Sequence, residues 1–242
     1  MTILITSGCS FSDTHPHNKA WPSYLSESLN DCQSVHLGMT SQGNGLISRK
    51  LIHKIIDLLK DNSTSDLLVG IMWSGINRHD FYNNDTHTYK PAKLARKDNL
   101  YIENPTGFVN DTKKWIIFNN TWTDIPECNI YYRFFENAIW SQILTVEHVL
   151  RTQWFLEKHN IKYFMTTYTN KVFDKEYVSH PEVEYLYKQV NFDNFLPVEG
   201  EFEWCINHSN LKIQENLHPS SEQHELFTEQ VIIPFLKEKQ YI

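Results

Sequence analysis

The sequence predicts an α/β fold on a parallel sheet, and three observations carry that expectation. Short apolar runs alternate with amphipathic segments of helical period, the first three runs each end at a glycine-bearing turn, and the intervening connections are short. Residues 2–7 are a β-rich apolar run that stops at Gly8. Residues 20–29 carry Trp21, Tyr24, Leu25 and Leu29 at helical spacing, with Pro22 near the helix start where its missing N–H costs nothing. Residues 34–37 form a second strand, and from Gly45 the positions Leu46, Ile47, Leu51, Ile55, Leu58 and Leu59 lie on one face of a helix reaching about Asp61. Residues 66–73 are the third strand, closed by Ser74-Gly75.

The rhythm then breaks. Residues 79–135 are rich in Asn, Asp and Thr, with strand-like pieces at 100–102 and 115–118, and read as a hairpin-rich insertion or lid after strand three, at about 80–135. The α/β pattern resumes with a long helix over 136–158, a strand over 161–167 and a short helix around 182–190. After a segment at 202–206, the last helix runs from Glu222 to about Lys239, capped by Ser220 or Ser221 and kinked at Pro234. The expectation is one domain spanning residues 1–242.

Composition narrows the function classes. A formal charge of −7, with no basic run longer than two residues, argues against nucleic-acid binding, and Lys90, Lys93, Arg96 and Lys97 read as a solvated loop face. An apolar fraction of 40% supports a core, while no apolar run approaches the roughly 20 residues of a membrane span. The four cysteines, at 9, 32, 128 and 205, form no C-x-x-C pair, so neither a disulfide framework nor a metal site is expected, and a reducing, cytoplasmic location is. The start lacks the basic and long apolar regions of a secretory signal. Only eight residues are glycine, and six of them (8, 38, 43, 45, 70 and 75) fall in the first third, which marks the turns there as the place to look for chemistry.

In an open α/β sheet, ligands bind beyond the carboxyl ends of the strands. Those ends are followed by Gly8-Cys9-Ser10-Phe11-Ser12-Asp13, by Gly38-Met39-Thr40-Ser41-Gln42-Gly43-Asn44-Gly45, and by Trp73-Ser74-Gly75-Ile76-Asn77-Arg78. Glu215-Asn216-Leu217-His218-Pro219 precedes the last helix. Together they supply the parts of acyl transfer: a serine hydroxyl that needs a base, an imidazole, a carboxylate to orient it, and donors for an oxyanion. Ser10 is the candidate nucleophile, His218 its base and Glu215 the carboxylate. Backbone N–H groups of Ser10 and of the turn from Ser41 to Gly43, with the Asn77 amide, are the oxyanion donors.

These blocks, in this order, resemble the SGNH (GDSL-type) hydrolases, a family of esterases, lipases and carbohydrate deacetylases. The resemblance implies a flavodoxin-like three-layer α/β/α sandwich whose central parallel sheet has about five strands. It makes Ser10 the nucleophile through Gly8-Cys9-Ser10-Phe11-Ser12-Asp13, Asn77 the oxyanion amide through Gly75-Ile76-Asn77, and His218 the base through Glu215-Asn216-Leu217-His218-Pro219. The chain departs from the family pattern at Cys9, at Arg78, at Glu215 and at Ser41, which aligns with a glycine whose N–H joins the oxyanion hole. Ser41, Gly43, Asn44 and Arg78 complete the expected oxyanion and substrate-binding set. No metal or organic cofactor is implied, and the expected partner is a glycan or other small-molecule ester.

Other readings weigh against these. Cys9 is expected to turn into the core rather than serve as a thiol nucleophile, Asp13 to support the first turn or cap a helix, and His15 and His17 to lie in a solvated loop. His224 is expected to be exposed. Tyr89, Tyr101, Phe108, Trp115, Phe118 and Trp122 form a small local core or stack on sugar rings. A glycan-binding module without catalysis, or a sugar O-acyltransferase using the same serine, are the alternatives to a hydrolase.

Overall fold

The computed structural model describes residues 1–14, 19–82, 94–95, 101–102, 115–121, 126–208, 210–214 and 217–242. Strands β1 (Thr2–Ser7), β2 (Cys32–His36), β3 (Leu67–Trp73) and, late in the chain, Lys162–Thr167 form one sheet. Among the described residues four strands of the insertion precede that last one, β4 (His79–Tyr82), β5 (Leu94–Ala95), β6 (Tyr101–Ile102) and β7 (Trp115–Phe118), so Lys162–Thr167 is β8. The sheet order is β2-β1-β3-β8 with every pairing parallel, which places the turns after β2, β1 and β3 side by side at one edge.

Alternation along the strands sends side chains to two cores. Ile3, Ile5, Val69 and Ile71 face α2 (Asn44–Leu58) and α4 (Ala138–Lys158), whose Ile47, Leu51, Ile55, Val146 and Val149 are buried against them. Leu4, Leu68, Met72 and Phe164 face the other layer, made by Trp21 and Leu25 of α1 (Trp21–Ser28) and by residues of the C-terminal helices. Those helices are α7 (Glu201–His208), α8 (Ser221–Phe227) and α9 (Ile233–Glu238), and α3 (Pro126–Phe134), α5 (Lys175–Val178) and α6 (Pro181–Tyr187) complete the set. The result is a three-layer α/β/α sandwich.

The sheet has four strands where about five were expected. The fifth is reduced to one parallel bridge, Met165 to Phe195, with the Leu196 N–H donating to the Met165 carbonyl at 2.9 Å. The next donor toward β8 would be the Val198 N–H, which turns back to the Leu196 carbonyl at 2.8 Å instead, and the ladder stops. The 202–206 segment is helical, within α7. The last helix is interrupted by a π-turn at Thr228–Ile232 immediately before Pro234, which relieves the clash between the proline ring and the preceding turn. In the insertion, β4 pairs antiparallel with β7 and β5 with β6, while α3 gives its final part a helix. No helix among the described residues is long and apolar enough to cross a membrane.

Gly70, in the middle of β3, serves close packing. A Cβ there would lie 2.6 Å from the Phe164 ring and 3.0 Å from Trp21. Gly70→Ala is therefore expected to lower unfolding free energy by about 1–3 kcal/mol in urea denaturation, through overpacking of two fully buried rings; a change below about 0.5 kcal/mol would contradict this.

Candidate active site

Ser10 opens a single 3-10 turn after β1, and His218 stands just before α8. Although 208 residues apart in sequence, Ser10 Oγ and His218 Nε2 are 2.8 Å apart. Both side chains are half-buried, so the pair is open to a ligand yet partly shielded from water.

The histidine is held by its loop. The Gln214 N–H donates to the His218 carbonyl at 3.0 Å, Gln214 Nε2 to the Pro219 carbonyl at 3.1 Å, and the Leu217 N–H to the Gln214 carbonyl at 2.9 Å. Leu217 takes a left-handed φ of 63°, which costs a branched side chain about 1–2 kcal/mol and is characteristic of turns that place a functional neighbour. Ser220 then caps α8 with a capping box to Gln223. From the side, the Phe11 ring lies 4.9 Å from the His218 ring and 5.3 Å from that of Tyr168.

Three polar stitches hold the adjacent turns. Asp13 Oδ2 accepts from the Thr40 N–H at 2.7 Å and its hydroxyl at 2.8 Å, tying the first turn to the second. Gln42 Nε2 donates to the Gly8 carbonyl at 3.0 Å, and its Oε1 accepts from Lys50 Nζ at 2.9 Å, so the ammonium fixes which way the buried amide points. Asn44 accepts from the Ser74 N–H at 2.7 Å and donates to the Ser74 carbonyl at 3.0 Å, joining the second turn to the third. Gly8 and Gly38 leave room for Ser12, which a Cβ at either would strike.

Asp80 caps α2 from β4. Its Oδ1 accepts from Gly43 N–H at 3.1 Å and its Oδ2 from Leu46 N–H at 2.8 Å. Burial pushes its carboxyl up to about 6, opposed by those two bonds and by the charges of Arg78 and Arg49. A second buried acid, Glu201, is bonded through Oε1 to His224 Nδ1 at 2.6 Å, and desolvation raises its pKa. His224 is 2% exposed, which corrects the exposed position expected for it: this face of α8 lies against α7 and toward Phe11, 6.4 Å from its ring.

A family model described as a family of unknown function, DUF6071, matches residues 11–242. The chain belongs to DUF6071. No curated protein matches the chain. Among solved structures, the DUF6071 chain is similar to "a putative lipolytic protein of G-D-S-L family" from Desulfitobacterium hafniense DCB-2, at 14% identity and a TM-score of 0.45, covering 95% of this chain and 97% of that one. It is also similar to "a member of the lipolytic protein G-D-S-L family" from Veillonella parvula DSM 2008, at 9% identity and a TM-score of 0.45, covering 98% and 97%. Overlap at this level assigns no residue a role.

The DUF6071 site brings together Ser10 and His218, while Glu215, His15, His17, Tyr89, Phe108 and Trp122 lie outside the described residues, as does the Tyr101 side chain. Trp115 and Phe118 pack on Tyr82 and Phe81, at ring distances of 5.4 and 4.6 Å, as in a local core. Cys9 is fully buried. Asn44 is 2% exposed with both amide atoms engaged, and the Gly43 N–H is given to Asp80, so these two act as struts of the turn. Ser41 takes a φ of 69°, the conformation for which glycine is used, whereas no described glycine has positive φ. Among the described residues, the N–H groups of Ser10 and Ser41 and the Asn77 side-chain amide have no hydrogen-bond partner. The Asn77 carbonyl is fixed by Tyr132 Oη at 2.6 Å.

Tyr168, missed in the sequence, follows β8 as the other blocks follow their strands. It meets Phe11, and its hydroxyl would lie 3.4 Å from a Cβ on Gly75. The rule that found the first three blocks, applied to the fourth strand, would have found it.

Lys50 is 3% exposed, and burial pushes its ammonium down to about 8. Between about pH 8 and 10.5 the unfolded chain binds the proton that the folded chain has released, so folding gains with rising pH. Denaturation from pH 8 to 10.5 should show the parent gaining up to about 3 kcal/mol relative to Lys50→Met, which lacks this titration. A constant difference over that window would contradict it.

Proposed function

We propose that the protein is a serine-dependent ester hydrolase that removes a short acyl group from a carbohydrate or other small ester. The observation that carries this reading is the 2.8 Å contact between Ser10 Oγ and His218 Nε2, the distance a nucleophile and its base require. Ser10 Oγ attacks the ester carbonyl while its proton passes to His218 Nε2, and a tetrahedral intermediate forms. The proton then moves to the departing alkoxide, and the alcohol leaves the acyl group on Ser10. Water, deprotonated by His218, repeats the addition and releases the acid with Ser10 restored. No metal or organic cofactor enters these steps.

The oxyanion is assigned to the N–H groups of Ser10 and Ser41 and the Asn77 amide, which are unpartnered among the described residues. Donors that spend no hydrogen bond elsewhere need no reorganisation as charge develops. Glu215, three residues before His218 in sequence, is assigned to orient the imidazole. The contact distance favours hydrolysis over a purely glycan-binding module, which has no need of it.

With 4-nitrophenyl acetate as substrate, Ser10→Ala is expected to lose at least about a thousandfold in kcat/KM. Asn77→Ala is expected to lose about a hundredfold to a thousandfold in kcat with little change in KM. Turnover that survives Ser10→Ala would overturn the assignment.

A further inference from the structure

Arg78 also lines a cavity of about 280 Å³ between the start of α2, the β3–β4 turn and helices α3 and α4. Arg49 reaches the same lining from α2, and Tyr131 and Trp140 supply aromatic walls. Among the described residues neither guanidinium has a carboxylate within ion-pair distance. Arg78 Nη1 is buried with no hydrogen-bond partner among them, an expensive state for a charged donor. Arg49 lies over the Trp115 ring at 5.6 Å, a contact that satisfies none of its N–H groups.

The remaining groups offset these two charges only in part, since Asp80 feels both guanidiniums but is a single carboxylate against two cations. Asp80, the carboxylate on the lining, has both oxygens committed to the Gly43 and Leu46 N–H groups. His79 and His148 also line the cavity, and burial drives their pKa values down to about 4 and about 3, so both are neutral near pH 7. The volume falls just below the roughly 300–1,000 Å³ of sites for whole small molecules, which suits a substituent.

Arg78 connects this cavity to the Ser10 site. It is the residue after Asn77, and its guanidinium lies 5.9 Å over the Tyr168 ring, which meets Phe11 beside Ser10. We propose that the cavity binds an oxyanion group of the substrate, a carboxylate, phosphate or sulfate, between Arg78 and Arg49. That the bound group belongs to a substrate rests on the hydrolase reading. Guanidinium forks match such oxygens in pairs, and the buried Nη1 gains the acceptor it lacks.

The test titrates phosphate, sulfate and succinate separately into full-length Ser10→Ala protein by calorimetry. Saturable binding of at least one anion is expected, weakened about tenfold by adding Arg78→Gln and, in a second protein, Arg49→Gln. Which anion binds most tightly identifies the substituent. In the Ser10 protein, kcat/KM for 4-nitrophenyl hemisuccinate should exceed that for 4-nitrophenyl acetate, with the ratio falling in both arginine variants if the site takes carboxylate. Absence of saturable binding by all three anions, or binding that both variants leave unchanged, overturns the proposal. Anion binding without ester turnover would instead overturn the hydrolase reading and leave the cavity assignment standing.

Discussion

The turn at residues 39–43, with Asn44 at the start of α2, holds the candidate site together, and it does so with side-chain amides. Gln42 bonds the Gly8 carbonyl two residues before Ser10, and Asn44 bonds both backbone groups of Ser74. Three adjacent strand ends are thereby joined through side chains, where the parallel ladder itself has stopped. The arrangement carries a cost, because Lys50 is buried against a carbonyl and an amide oxygen and has no carboxylate partner among the described residues. What that ammonium gives in return is direction: with Oε1 held by Lys50, Gln42 can present only its NH₂ to Gly8.

The second constraint is steric. Phe11 occupies the space between the His218, Tyr168 and His224 rings, so the imidazole is confined by packing from one side and by the Ser10 hydroxyl at its Nε2. Leu217 holds a left-handed turn at one end of this arrangement and Ser41 at another. Such strain persists when the surroundings over-determine it, here the Gln214 bonds on one side and the amide stitches on the other.

Much of this was legible in the chain. Short apolar runs and helical patterns located β1, β3, β8, α1, α2 and α4, and the rule that ligands sit beyond strand ends singled out Ser10 and Asn77 as candidates. Other features were illegible for physical reasons. The glycine cluster read as a set of special turns, yet those glycines are needed for close approach at Ser12, Asp80 and Phe164, while Ser41 and Leu217 take the left-handed conformations. No local pattern distinguishes the two uses. Gln42 and Lys50 gain meaning from partners distant in sequence, and His224 is buried because α7 supplies Glu201 opposite it. The missing fifth strand ends where the Val198 N–H turns back on the Leu196 carbonyl, a local bond that no hydrophobic pattern announces.

The central claim is that Ser10, activated by His218, is the nucleophile. The most direct measurement is treatment of the full-length protein with a fluorophosphonate followed by peptide mass mapping. The account predicts a single stoichiometric adduct on Ser10, abolished when His218 is replaced by Ala. An adduct on a different residue, or an unmodified Ser10 in protein that still hydrolyses esters, would contradict it.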